Sequence, residues 1–140
     1  MIANVVSAQE ANFQTDKELK KQGDKFFNEA KYAEAYPFYS QLVVHNPRDP
    51  EYNYYLGVCA IFTVADKEQA IPFLELAASS PDITPDVFYY LGRAYALSYR
   101  FEDAIVQFNR YKDKGSSKNL EKFQVDQQIE MCTNGTKLVR

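Results

Sequence analysis

The two stretches that decide the fold are YYLGVCAIFTVADKEQAI, residues 54–71, and YYLGRAYALSYRFEDAI, residues 89–105. They share a Tyr-Tyr-Leu-Gly start and an Ala-Ile end, and a looser third copy, ELKKQGDKFFNEAKYAEA, surrounds Gly23. Gly23, Gly57 and Gly92 are 34 and 35 residues apart. A fixed period of roughly 20 to 50 residues is typical of repeat architectures. The chain is therefore predicted to contain three stacked copies of one unit.

An alanine follows each repeat glycine, at Ala35, Ala70 and Ala104. The interval from glycine to alanine is 12 residues in the first and third copies and 13 in the second. The additional residue falls near the polar segment TVADKE, and turns at the edge of a repeat tolerate insertions. The extra residue is therefore predicted to lengthen a turn.

Within each copy the apolar residues recur at the spacing of an α-helix, and proline-containing pairs separate the copies. Each copy is therefore predicted to be a helical hairpin. A seventh helix follows the third hairpin, and Asn134-Gly135 is predicted to end it as a left-handed stop. The predicted helices cover residues 15–28, 32–45, 51–63, 67–79, 85–97, 101–113 and 118–133.

The repeat glycines need a packing reason, because glycine in a helix costs about 1 kcal/mol relative to alanine. We expect Gly23, Gly57 and Gly92 to let the two helices of each hairpin approach closely. The alanine that follows each glycine is expected to do the same from the partner helix, while aromatic side chains fill the layer between them.

This pattern resembles the tetratricopeptide repeat, a unit of about 34 residues that has Leu-Gly and an aromatic residue in its first helix and alanines around an aromatic residue in its second. The third copy carries the resemblance best, with Leu91, Gly92, Tyr95, Ala104 and Phe108 at those places. The resemblance covers about residues 16–117. It implies an all-α fold, a right-handed superhelix (solenoid) of three hairpins with a C-terminal capping helix. It does not specify a function.

A domain organisation follows from the repeats. Residues 1–14 are predicted to be a flexible arm or the remnant of a signal peptide, and residues 15–133 the repeat domain. Residues 134–140 are predicted to be a tail or the start of a linker. Inside the repeat domain, the three repeats and the capping helix are placed at about 16–49, 50–84, 85–117 and 118–133.

A ligand groove is predicted on the concave side of the superhelix, which the first helices of the hairpins would line. Positions spaced i, i+3 and i+7 along those helices are expected to be exposed there. Tyrosine and arginine are frequent in binding hot spots, so two tyrosines and one arginine are the strongest candidates. The alternative is that these tyrosines are partly buried between repeats. The predicted groove residues are Lys20, Asp24, Tyr54, Val58, Tyr89 and Arg93.

One subgroup of the tetratricopeptide family binds the carboxylate tails of heat-shock chaperones through a clamp of lysines and asparagines. The matching positions here hold Asp24, Tyr55, Asp86 and Tyr90, so Lys20 alone fits that clamp. Binding of chaperone tails is therefore not expected.

The composition indicates neither catalysis nor nucleic-acid binding. The net charge is −3 and there is no basic block, which excludes the electrostatic footprint of a nucleic-acid binder. Cys59 and Cys132 lie far apart, and His45 is the single histidine, so no metal, cofactor or catalytic residue is predicted. Cys59 is expected to be a buried thiol, with a bridging or reactive role as the alternative. No apolar run reaches the roughly 18 residues of a membrane span.

The two ends of the chain suggest a location. Val6 and Ala8 in MIANVVSAQE stand where a secretory cleavage site has its small residues. That start, the repeats and the stretch MCTNGTKLV resemble the N-terminal segment of Bacteroidetes envelope proteins. In those proteins the repeats precede a propeller-like region and an OmpA-like peptidoglycan-binding domain. The resemblance implies a periplasmic or outer-membrane-associated location, and the cytoplasm is the alternative.

Two functions from different classes fit these observations. The first is a non-enzymatic protein-interaction module that binds a peptide or partner helix in the concave groove, within a bacterial envelope assembly. The second is a structural spacer or assembly domain of a larger OmpA-like, peptidoglycan-associated protein. Repeat arrays also associate through uncapped ends, so a homodimer is compatible with either function.

Overall fold

The computed structural model describes residues 14–139, so the arm predicted at residues 1–14 lies outside the described residues apart from Gln14. Every regular element in that range is helical, which confirms the all-α prediction. A short 3₁₀ turn, Lys67–Gln69, precedes the fourth helix. The α-helices are α1 Asp16–Asn28, α2 Tyr32–His45, α3 Pro50–Thr63, α4 Ala70–Ala78, α5 Asp86–Leu97, α6 Phe101–Lys114, α7 Ser117–Phe123 and α8 Val125–Val139.

Helices α1 to α6 form three hairpins that follow one another in a row. Helix α1 packs against α2, α3 against α4, and α5 against α6. The second helix of each hairpin also packs against the first helix of the next. The sequence places five of the six hairpin helices to within one residue at each end. The helix predicted at 67–79 differs, because its first turn is the 3₁₀ turn.

Local capping explains where several helices begin. The Thr15 side chain accepts a hydrogen bond from the Glu18 N–H at 3.2 Å, and the Glu18 carboxylate accepts one from the Thr15 N–H at 3.1 Å. This reciprocal capping box satisfies two backbone donors at the start of α1. Asp49 caps α3 in the same manner, accepting from the Tyr52 N–H at 3.0 Å.

The repeat glycines lie where the two helices of a hairpin approach closely. A Cβ atom on Gly57 would lie 2.5 Å from Leu74, and one on Gly92 would lie 2.6 Å from Phe108. The contact at Gly23 is looser, 3.1 Å from Tyr39. These three partners stand four residues after the repeat alanines, all of which are fully buried. The expected packing role of the glycines is therefore confirmed.

The turns of the first and third hairpins share one geometry. Ala30 has a φ of 58° and Tyr99 a φ of 62°, and each stands seven residues after its repeat glycine. Across the first turn, the Lys31 N–H donates to the Phe26 carbonyl at 2.8 Å, and an equivalent bond of 2.9 Å closes the third turn. A left-handed residue with this return bond is a common way to end a helix.

The turn of the second hairpin is different, and it contains the extra residue. Val64, seven residues after Gly57, is extended with a φ of −92°. The Asp66 carboxylate then accepts a hydrogen bond from the Glu68 N–H at 3.1 Å, and the 3₁₀ turn leads into α4. The prediction that the insertion lengthens a turn is confirmed.

Buried tyrosines connect the helices of two hairpins. The Tyr39 hydroxyl on α2 donates to Asp24 on α1 at 2.6 Å, and the Tyr111 hydroxyl on α6 donates to Asp86 on α5 at 2.9 Å. Both tyrosines are fully buried, so each bond lies where water competes weakly for the carboxylate.

The C-terminal region differs from its prediction. In place of one helix at 118–133, two helices, α7 and α8, meet at Gln124, which has a φ of 51°. Helix α8 continues through Asn134 and Gly135, so the predicted stop there is wrong, as is a strand or linker beginning within residues 136–139. The glycine has a packing reason instead. A Cβ on Gly135 would lie 2.8 Å from the Phe101 ring at the start of α6.

Candidate functional site

Lys20 and Asp24, two of the predicted groove residues, form an ion pair on α1. The Lys20 Nζ lies 2.6 Å from the Asp24 carboxylate and 3.5 Å from the Glu51 carboxylate on α3. The hydrogen bond to Asp24 raises the pKa of Lys20, which therefore stays charged at neutral pH. The pair joins the first hairpin to α3, and it leaves Glu51 with the more distant share of the lysine.

Three other predicted groove residues are buried. Val58 is fully buried, while Tyr54 is 7% exposed and Tyr89 is 6% exposed. The prediction that these positions are exposed on the first helices is wrong. The reason is that aromatic side chains further along the chain cover both tyrosines. The Tyr54 and Tyr90 ring centroids are 6.1 Å apart. The Phe123 ring, at the end of α7, stacks on Tyr89 at 4.1 Å.

The alternative interpretation of these tyrosines, as contacts between successive units of the row, is therefore confirmed. Phe123 stands 34 residues after Tyr89, so the C-terminal region continues the same interval although it has no repeat glycine at Asp126. The predicted groove is filled by the chain's own side chains at its centre.

Arg93 lies apart from the other predicted groove residues. It is half-buried, and its guanidinium donates a hydrogen bond to the Tyr89 hydroxyl at 3.0 Å. Together with Leu97 and Met131, it borders an apolar depression of about 290 Å³ between α5 and α8. Arg93 forms no ion pair with another residue that the structure describes.

A larger cavity opens between the start of α3 and the loop that joins α4 to α5. We call it the acidic cavity; its volume is about 420 Å³. Three carboxylates and two aromatic rings dominate its walls, and Pro50, Ser80 and Thr84 complete them. The residues used in the argument below are Asp49, Glu51, Tyr54, Tyr55, Asp82 and Ile83.

Both walls of the acidic cavity are held by local hydrogen bonds. Asp49 is fixed as the cap of α3, which Pro50 begins. On the opposite wall, the Thr84 hydroxyl accepts from the Asp86 N–H at 3.3 Å, at the start of α5. The cavity therefore lies between two helix starts, on elements whose backbone the caps constrain.

Negative charge surrounds the tyrosines of the acidic cavity. Burial, followed by the neighbouring Tyr90 and Asp86, raises the pKa of Tyr54. Burial and then Glu51 and Asp24 raise the pKa of Tyr55. Both phenols are therefore neutral at physiological pH, and each keeps an oxygen that can accept a hydrogen bond.

Sequence reasoning identified Tyr54 but missed four of the six principal cavity residues outright: Asp49, Tyr55, Asp82 and Ile83. The repeated Tyr-Tyr pair, at 54–55 and 89–90, is a signal that would have drawn attention to Tyr55. No local pattern places Asp82 beside Asp49, because the two residues are 33 positions apart and meet only when α3 packs beside the α4–α5 loop.

Both cysteines are buried free thiols, as expected, and burial raises the pKa of Cys59 to about 12. Among residues 14–139, no group of three or more histidine, cysteine, aspartate or glutamate side chains is arranged to hold a metal ion. The described helices also include none with the length and apolar character needed to cross a bilayer.

Comparison with known proteins gives no relative for this chain. No protein-family model matches it, and no curated protein does. The site therefore has to be interpreted from its own geometry and charge.

Proposed function

We propose that this chain is a non-enzymatic protein-interaction module. In this proposal its three hairpins form a right-handed superhelix of the tetratricopeptide kind. The module binds a peptide or a partner helix on the face formed by the first helices of the hairpins, and the acidic cavity is the principal contact.

The observation that carries the proposal is an open cavity on a rigid helical scaffold, with aromatic and charged walls. Ligand sites typically combine apolar and aromatic walls with a few fixed polar groups, and they have volumes of about 300 to 1,000 Å³. The acidic cavity, at about 420 Å³, has that size and that mixture. Tyr55 supplies a half-buried ring, and Glu51 and Asp82 supply exposed carboxylates at the rim.

The test is selection of peptides from a displayed random library by the immobilised chain. Peptides that the chain enriches should bind with micromolar affinity, which corresponds to about −8 kcal/mol. A Glu51→Lys, Asp82→Lys variant should lose them. An Asp113→Lys variant is the matched control, because Asp113 is exposed on α6, away from the cavity, and it should retain them.

Failure to enrich any peptide, or equal capture by both variants, would contradict binding at this face. Calorimetric titration of the best peptide measures the loss. Circular dichroism establishes that each variant keeps the helical content of the parent chain.

A second candidate is favoured by the burial of Tyr54, Val58 and Tyr89. Positions that the repeat pattern assigns to a ligand are here used to join successive hairpins, as a stiff spacer or assembly element of a larger envelope protein would require. A spacer predicts that the Glu51→Lys, Asp82→Lys variant supports normal growth and envelope integrity when it replaces the parent chain in the cell. Fractionation of those cells tests the proposed periplasmic or outer-membrane-associated location.

A further inference from the structure

We propose that the acidic cavity takes a cationic side chain, a lysine or an arginine, of an extended peptide. This inference rests on the proposed interaction function and specifies the chemistry of its ligand. Its basis is the state of three groups in the walls: the carboxylates of Glu51 and Asp82, and the hydroxyl of Tyr54.

The two carboxylates have charge to offer. Lys20 lies closer to Asp24 than to Glu51, at 2.6 Å against 3.5 Å, so Glu51 is only partly neutralised. Asp82 forms no ion pair or hydrogen bond with another residue that the structure describes. Asp49 adds a third negative charge, although one of its oxygens caps α3. An ammonium or guanidinium group would complement this charge, whereas an acidic peptide would be repelled.

The Tyr54 hydroxyl is an independent indication of a ligand. The structure describes five buried tyrosines, and four of them have partners for their hydroxyls. The hydroxyls of Tyr39, Tyr95 and Tyr111 donate to carboxylates, and that of Tyr89 accepts from Arg93.

Tyr54 is the exception among the buried tyrosines of the described chain. It is more than nine-tenths buried, yet its hydroxyl makes no hydrogen bond with a described residue. The oxygen is not among the fully enclosed, unpaired polar atoms, and the side chain lines the acidic cavity. An unpaired polar group in a buried setting costs free energy, which a donor inside the cavity would recover.

The remaining walls suit the aliphatic stem of a basic side chain. Tyr55 presents an aromatic ring and Ile83 an apolar side chain. Lysine and arginine bury their methylene stems against apolar surface, and their charged groups interact favourably with aromatic faces. One side chain can therefore contact the rings with its stem and the carboxylates with its head.

The experiment is fluorescence anisotropy with a labelled peptide of Gly-Ser-Lys repeats at low ionic strength, where attraction between exposed charges is least screened. The same peptide with acetylated lysines keeps the stems and removes the charge. We expect the charged peptide to bind the parent chain at least about tenfold more tightly than the acetylated one. Equal binding of the two peptides would overturn the preference for a cation.

Variants then locate the binding. Glu51→Gln with Asp82→Asn should weaken binding of the charged peptide by about tenfold. Asp113→Asn with Glu130→Gln changes the net charge equally at exposed positions outside the cavity, and should change the affinity by less than about twofold. Equal losses in the two double variants would overturn the assignment to this cavity.

Tyr54→Phe keeps the ring and removes only the hydroxyl, and it should weaken binding by about threefold to tenfold. An unchanged affinity would overturn the role of the hydroxyl. The displayed library separates failure of this inference from failure of the proposed function. Neutral or acidic peptides that need Glu51 and Asp82 would leave an interaction module with a different ligand, whereas the absence of any enriched peptide would contradict the module itself.

Discussion

At the scale of single residues, the distance between the two helices of a hairpin depends on one glycine. Gly92 lies against the ring of Phe108, which is fully buried and has no free space to move into. Gly23 occupies the same place in the first hairpin, but its contact with Tyr39 is 0.5 Å longer, at 3.1 Å against 2.6 Å. The same substitution should therefore have different effects at the two positions.

Gly92→Ala should lower the free energy of unfolding by about 1 to 2 kcal/mol, since overpacking of about 1 to 3 kcal/mol exceeds the gain of about 1 kcal/mol in helix propensity. Gly23→Ala is the matched control, and its change should stay within about 1 kcal/mol because the two effects nearly cancel. Urea unfolding measures both. A Gly92→Ala chain at least as stable as the parent would contradict the tight contact with Phe108.

At the scale of elements, the hairpin turns differ in what they ask of the backbone. Ala30 ends α1 in the left-handed region, which an L-residue with a side chain enters at a cost of about 1 to 2 kcal/mol. Val64, at the equivalent place in the second hairpin, has an ordinary extended backbone because the inserted residue allows a different route into α4. Glycine should suit the first turn and weaken the second.

Ala30→Gly should raise the free energy of unfolding by about 0.5 to 1 kcal/mol, since glycine removes the left-handed strain at an exposed position. Val64→Gly should instead lower it by about 1 kcal/mol or more, because glycine adds backbone freedom and removes a half-buried apolar side chain. Thermal and urea unfolding of both variants provide the measurement. Destabilisation by Ala30→Gly would show that the turn does not hold the strained geometry.

At the scale of the whole molecule, α7 and α8 cover the open end of the row of hairpins. Phe123 stacks on Tyr89, and Val125 and Cys132 are each only 2% exposed. Helix α8 packs on α6, with Gly135 at the close contact. A row of repeats leaves an apolar surface at its end unless a capping element covers it.

Deletion of residues 116–140 should therefore lower the free energy of unfolding by about 3 kcal/mol or more, since each apolar side chain released from burial loses about 1.5 to 3 kcal/mol. The shortened chain should bind a hydrophobic dye and self-associate in sedimentation experiments. Leu138→Ser is the control: Leu138 is 89% exposed, so its loss should change neither property. A shortened chain that stays monomeric with the parent's unfolding midpoint would contradict the capping role.

Several features were predictable because they depend on neighbours in the chain. Helix starts at Thr15 and Asp49 follow from capping side chains within three residues, and the glycine and alanine register predicted which helices pair. The burial of Val58 and the break at Gln124 were not predictable in this way. Each depends on contacts between helices that are far apart in sequence.

The sequence by itself determined the repeat period, the three hairpins and the turn that holds the extra residue. These follow from helical periodicity, proline boundaries and small residues, all of which act over a few turns of helix. Only the tertiary structure decided which side of each first helix is covered. The rotation of one hairpin against the next buried Tyr54 and Tyr89 and brought Asp82 beside Glu51, because that rotation is set by the packing of whole side-chain layers.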